Sequence, residues 1–186
     1  LSLWERSEPA PMSAYTLTIE HVLKHPVRDI HPIAWSLFYH MRYAAHPVPD
    51  AVLYAMMIRA CAAGVPQPNT MPLRRKRTME ADAERALDLF REMTVHHGVR
   101  PNKEVYDSLI LTCARRKDHY ADALRLLHEL VEGDHTRLWP DAYTYNAVLQ
   151  GSARHGDLTT ARWILADMVR SVMADAHRLR RPNEDT

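Results

Sequence analysis

The chain has 186 residues, a hydrophobic share of 46%, 5 glycines, 2 cysteines, and 24 Lys and Arg against 23 Asp and Glu. The apolar content is ample for a core, the shortage of glycine disfavours a turn-rich β protein, and a net charge of +1 gives no global field to attract a polyanion. Two cysteines make no disulfide framework, and the longest clean apolar run, Ala51 to Ile58, falls far short of the roughly 20 residues a membrane span needs.

Residues 1–11, with Pro9 and Pro11, read as an irregular lead-in. Residues 12–50 form the first and most degenerate unit, in which Pro26 and Pro32 interrupt the stretch between Tyr15 and Ala34. Its second helix is predicted over Ala34 to Met41, and it ends on Pro49-Asp50. Residues 51–102 open with Tyr54, Met57, Ile58 and Cys61 on one helical face. They resume with Ala86, Leu89, Phe90 and Met93 and close on Pro101-Asn102. Between these helices lies an insertion, 65–77, holding three prolines and the run Arg74-Arg75-Lys76-Arg77, which predicts an exposed loop. Residues 103–141 repeat the pattern with Tyr106, Leu109, Ile110 and Cys113, a charged turn Arg115-Arg116-Lys117-Asp118, then Ala123, Leu126, Leu127 and Leu130. They close on Pro140-Asp141. Residues 142–183 are the cleanest unit. Tyr145, Val148, Leu149 and Ala153 share a face, Gly156-Asp157 ends the helix, and Ala161, Ile164, Leu165 and Met168 line the second one before Pro182-Asn183.

An alanine followed seven residues later by Met or Leu recurs at Ala34–Met41, Ala86–Met93, Ala123–Leu130 and Ala161–Met168. Such a repeat means a solenoid, and a solenoid points to a binding surface before a catalytic pocket. The missing polar end-repeat and the start at Leu1 lead us to expect a segment of a longer protein. Cys61 and Cys113 each follow a repeat tyrosine by seven residues, which predicts equivalent buried helix positions.

Other motifs carry less. His96-His97 are adjacent and so share no helix face, and no Cys-x-x-Cys or His-x-x-x-His pair supports them, so no metal site and no cofactor are predicted. Gly151 and Gly156 have P-loop spacing, but Asp157-Leu158 stands where Lys-Ser/Thr is required. Trp139 and Trp163 are of a type that stacks on bases, and packing is the preferred reading of Trp163. Arg74, Arg75, Lys76 and Arg77 read either as a phosphate-binding loop or as a solvated insertion. Arg115, Arg116 and Lys117 sit at an inter-helix turn, where a solvated turn is preferred over a contact. Asp, Glu and His form no constellation for acid–base chemistry, so no enzyme is predicted.

The sets Tyr145-Asn146 … Gly156 … Ala161 … Met168 … Pro182-Asn183 and Tyr106-Asp107 … Ala123-Leu124 … Leu130 … Pro140-Asp141 resemble the pentatricopeptide repeat, a helical hairpin. So does Tyr54 … Ala86-Leu87-Asp88-Leu89-Phe90-Arg91-Glu92-Met93 … Pro101-Asn102. The resemblance covers about 51–183 and, weakly, 12–50. It implies an all-α fold, a right-handed α-solenoid of antiparallel helical hairpins with about four repeats, one carrying the long basic insertion. It further implies a mitochondrial protein that binds single-stranded RNA along its first helices, one base per repeat. The reading side chains are those after the helix tyrosine and after the terminal proline, with the residue two before the tyrosine beside the base. Carried over, these are Asn146 and Asn183 with Tyr143, a pyrimidine-type amide pair, then Thr16 with Asp50, a purine-type pair. The other two repeats give Ala55 with Asn102, which reads little, and Asp107 with Asp141 beside Glu104, whose carboxylates would repel a phosphate backbone.

The function this implies is transcript processing or stability, translation, or small-ribosomal-subunit biogenesis. Two other readings stand beside it: a scaffold for ribosomal or other protein partners in a mitochondrial complex, and the RNA-binding arm of a larger enzyme.

Overall fold

The computed structural model of the chain describes residues 10–25, 31–63, 65–66, 79–132 and 138–179. Among them the architecture is all-α apart from one short ladder. The helices are α1 (Met12–Lys24), α2 (His31–Ala44), α3 (Ala51–Ala62), α4 (Ala83–Arg91), α5 (Lys103–Ala114), α6 (Tyr120–Glu132), α7 (Ala142–His155) and α8 (Leu158–Leu179). A π-helical turn, Glu92–His96, extends α4. Strands β1 (Val65–Pro66) and β2 (Met79–Glu80) pair antiparallel, so part of the stretch expected as open loop is held by a ladder. Asp82 N–H also donates to the Cys61 carbonyl at 3.0 Å, tying the start of α4 to the end of α3. Arg74, Arg75, Lys76, Arg77 and Asn183 lie outside the described residues.

Contacts group the chain into two units, 1–109 and 110–186, with the division inside α5. In the first, α1 packs on α2 and on α3, and α3 packs on α4. Ile19, Phe38, Met41, Leu53, Tyr54, Met57, Ile58 and Met93 are wholly buried there. Burying a side chain of this size fully stabilises by about 1.5–3 kcal/mol, which is what holds two short helices in one hairpin. Small residues let the helix axes approach, and Ala34 and Ala86 are as fully buried as their large neighbours.

In the second unit α7 packs on α6 and on α8. Leu127, Leu130, Val148 and Ile164 form its centre. Gly156 takes φ +70 and closes α7 in the left-handed conformation, as its place in the sequence predicts. The buried face of α7 is rotated from the one expected. Gly151 and Ser152 are buried while Ala153 is exposed. The reason is Tyr120, whose ring lies over Gly151 and whose hydroxyl meets the Ser152 hydroxyl at 2.6 Å.

The helix tyrosines do more than fill space. Tyr54 donates to Glu92 Oε1 at 2.7 Å, and Tyr145 donates to Asp167 Oδ2 at 2.6 Å. The Tyr15 hydroxyl lies 3.2 Å from His40 Nδ1. His40, Glu92 and Asp167 each stand one residue before the repeat's Met41, Met93 and Met168. A hydrogen bond therefore fixes the second helix against the first at the same register each time, and at Glu92 and Asp167 the acceptor is a carboxylate. Burial first, and the Glu92 hydrogen bond second, push the Tyr54 phenol well above its usual range.

Candidate nucleic-acid interface

The residues after the terminal prolines share one local job. Asp50 Oδ1 accepts from Leu53 N–H at 2.8 Å, Asn102 Oδ1 from Val105 N–H at 2.9 Å, and Asp141 Oδ1 from Tyr143 and Thr144 N–H at 2.9 and 3.1 Å. Each is the cap of the helix that follows. Asp141 goes further: the Thr144 hydroxyl accepts from Asp141 N–H, completing a reciprocal capping box. The signal was present in the sequence, since Asp or Asn directly before an apolar-periodic stretch is a helix start.

The first-helix positions fare differently from one another. Tyr143 and Asn146 are both exposed, three residues apart on the first turns of α7, and so project from one helix face. The box at Asp141 holds that turn rigid beneath them. On α5, Glu104 is exposed, but Asp107 is not available in the same way. Its side chain is only 14% exposed and is paired with Lys103 at 2.5 Å. That pairing removes much of the charge that would oppose a phosphate backbone. Ala55 on α3 is 4% exposed and sits in the core, so its position presents nothing to a ligand. Thr16 on α1 is half-buried, and its hydroxyl donates to the Met12 carbonyl at 3.0 Å. In the second unit the structure thus brings together Asp141, Tyr143 and Asn146. In the first, Thr16, Asp50, Asn102 and Asp107 are each engaged by backbone or by a neighbouring side chain.

Trp163, expected to pack, is 44% exposed on α8, a helix that also exposes Leu158, Leu165 and Val169. Of the four residues expected to line the packed face, Ile164 is fully buried, Ala161 and Met168 are half-buried and Leu165 is exposed. The pattern assumed an element on each side of α8, and α7 is the described helix it packs against. Trp139, ahead of the Asp141 cap, is 61% exposed. Cys61 and Cys113 occupy equivalent buried positions, as their spacing predicts, and burial pushes each thiol up to about 12. Among the described residues no helix is long and apolar enough to cross a membrane.

Comparison with known proteins gives three findings. The family model of the PPR repeat matches residues 143–171, the span from the exposed Tyr143 into α8. The chain is 33% identical over 131 residues to the mitochondrial 15S rRNA processing factor CCM1 of Yarrowia lipolytica, covering 70% of this chain and 14% of that protein. It is 28% identical over 140 residues to the factor of the same name from Candida tropicalis, covering 75% of this chain and 16% of that one. The chain therefore spans about one-sixth or less of the length of these curated relatives. Its fold matches the crystal structure of the pentatricopeptide repeat protein PPR10 from maize with a TM-score of 0.62 and 16% identity, over 88% of this chain and 20% of that one. Helical hairpins locked by tyrosine, the caps at Asp50, Asn102 and Asp141, and the repeat-model match on α7 and α8 agree: the chain carries a PPR repeat at residues 143–171, and its fold is that of pentatricopeptide repeat proteins.

Proposed function

We propose that this chain is an RNA-binding segment of a mitochondrial factor that acts in processing small-subunit ribosomal RNA. It captures single-stranded RNA on the first-helix face and catalyses no reaction itself. The observation that carries the reading is the pair Tyr143 and Asn146, exposed together above the capping box of α7. An aromatic ring beside an amide suits one base: the ring supplies a stacking or flanking surface, and the amide donates and accepts at the base edge. Asn183 is the second reading side chain of that repeat. The target class is supported by the names of the two fungal relatives, which align over 70% and 75% of this chain.

The test is fluorescence anisotropy with pooled short RNAs, including segments of mitochondrial small-subunit rRNA precursor, at two salt concentrations. Saturable binding at low salt is expected, and Asn146→Ala should change the base preference with little loss of stability. A folded sample that binds none of the RNAs at low salt would sink the proposal.

One observation favours a second reading, a protein-binding scaffold. Leu158, Leu165 and Val169 fall on one side of α8 as an exposed apolar stripe, of the kind that marks partner surfaces. Under that reading Leu165→Asp abolishes partner co-purification, and Asn146→Ala leaves it intact.

A further inference from the structure

In the first unit, α2 carries a row of aromatic side chains. Trp35, Tyr39 and Tyr43 follow one another at four-residue steps, so they stand one above the next along about 12 Å of the helix. Trp35 is half-buried, Tyr39 is exposed and Tyr43 is 95% exposed. The buried face of the same helix is Ala34, Phe38 and Met41, so the core is built without Tyr39 and Tyr43. The rings are nevertheless set against one another. Trp35 and Tyr39 have centroids 6.2 Å apart, and Tyr39 meets the buried Phe38 ring edge-on at 5.7 Å. A single exposed tyrosine needs no explanation, whereas a row of three aromatics on one ridge does.

The charge along this row has one sign. From Ile30 to Pro49 the chain holds no Asp or Glu. Arg85 of α4 lays its guanidinium over the Trp35 ring, 4.4 Å from the centroid. The acids near Arg85 in sequence are turned to other work. Asp82 caps α4, Asp88 pairs with Arg91 at 3.2 Å, and Glu92 pairs with Arg42 at 2.8 Å. Glu84 is adjacent to Arg85 in the chain and so does not share its helix face. A ligand lying along the row meets aromatic surface, a cation at the Trp35 end and no carboxylate from α2.

We propose that Trp35, Tyr39, Tyr43 and Arg85 form a docking site for an acidic amphipathic helix of a partner protein. A row at four-residue steps is the ridge that helix-on-helix packing uses. Trp, Tyr and Arg are the residues that most often carry protein–protein affinity. A carboxylate on the incoming helix answers Arg85 with a charge-assisted hydrogen bond. Two other occupants fit less well. RNA needs cations for its phosphates, and of the two guanidiniums here Arg42 is largely covered and already on Glu92. A second copy docking α2 on α2 brings the same cations and no acid to meet them. The site belongs to the first unit and is independent of the RNA-binding reading, which rests on α7.

The test uses the full chain and the anisotropy of three labelled probes. One is a synthetic peptide of about 16 residues with Leu at helical spacing and Glu on its flanks, the second has Lys in place of Glu, and the third is an oligouridine. Saturable binding of the Glu peptide is expected, with the Lys peptide weaker by about tenfold or more. The double variant Y39A/Y43A should weaken the Glu peptide by about 30-fold or more, the effect of losing one aromatic anchor outright. R85E should weaken the Glu peptide and strengthen the Lys peptide. A Glu in the first turn of α4 suits the helix dipole, so this variant keeps the fold. Far-UV circular dichroism checks folding. If the double variant unfolds, Tyr43→Ala decides, because a side chain 95% exposed takes nothing from the core when it is removed. A folded wild type that leaves the Glu peptide unbound, equal binding of the two peptides, or wild-type affinity in the folded aromatic variants overturns the proposal. Oligouridine binding that disappears with Tyr39 and Tyr43 overturns it as well, and makes the row a base-stacking surface. None of these results bears on Asn146, so the two readings fail separately.

Discussion

Tyr54→Phe deletes one oxygen and tests what holds a hairpin together. Tyr54 is wholly buried, donates to Glu92 Oε1 at 2.7 Å and lies 3.0 Å from His97 Nδ1. Glu92 also pairs with Arg42 of α2 at 2.8 Å, so the hydroxyl joins α2, α3 and the π-helical turn. A hydrogen bond to a charged group is worth about 1.5–3 kcal/mol. Glu92 keeps Arg42 after the change and its side chain is 25% exposed, so water can replace part of the loss. We therefore expect the lower end, about 1.5 kcal/mol. The ring remains, so no cavity opens and no transfer term is added. The assay is urea denaturation of wild type, Tyr54→Phe, Glu92→Gln and the double variant, with the coupling taken from the cycle. A coupling near 1 kcal/mol or above supports the lock. Coupling below about 0.3 kcal/mol, within the additivity error for independent sites, would refute the reasoning.

Gly151→Ala should destabilise despite the helical preference for alanine. The new methyl would sit 3.1 Å from two Tyr120 ring atoms and 3.2 Å from Ala114 Cβ. Tyr120 is pinned by Ser152 and His155, so overpacking of about 1–3 kcal/mol outweighs a propensity gain of about 1. A thermal melt at or above the wild-type midpoint would contradict it. Asp141→Ala should cost about 1 kcal/mol through loss of the cap, whereas Asp141→Asn should cost far less, and thermal melts of the pair check it. With thiols raised from 9.0 to about 12, Cys61 and Cys113 should resist iodoacetamide at pH 8 until urea unfolds the chain. The sign for stability follows from linkage. The folded value lies above the unfolded one, so the thiol contribution is complete below about pH 9 and declines as pH rises toward 12. A C61A/C113A variant should show a flatter decline across that window.

The hairpins were legible because their signal is periodic. Tyr54, Met57, Ile58 and Cys61 announce a helical face, and the structure buries all of them. What failed to show was anything set by a neighbour distant in sequence. Ala153 fits the face of α7 by spacing, but Tyr120, from another helix, selects Gly151 and Ser152 instead. Asp107 reads as a repulsive carboxylate until Lys103, one turn away, is seen to neutralise it. Ala55 holds a reading position by register, yet α3 is apolar around most of its circumference and sinks that position into the core. The tyrosine lock could have been found from sequence, because an acid precedes Met93, Leu130 and Met168 alike. The π-helical turn had no signal, since nothing in Glu92–His96 departs from ordinary helix composition.

Asp50, Asn102 and Asp141 each belong by register to one hairpin and by hydrogen bonding to the next. A side chain with that second duty is drawn from a short alphabet, since only Asn, Asp, Ser and Thr close a helix start well. Whoever rewrites this protein to choose a different nucleotide inherits the restriction. Exchanging such a letter for Lys, Gln or Arg would fray the following rod, so under the proposed base-reading role re-coding one module edits two.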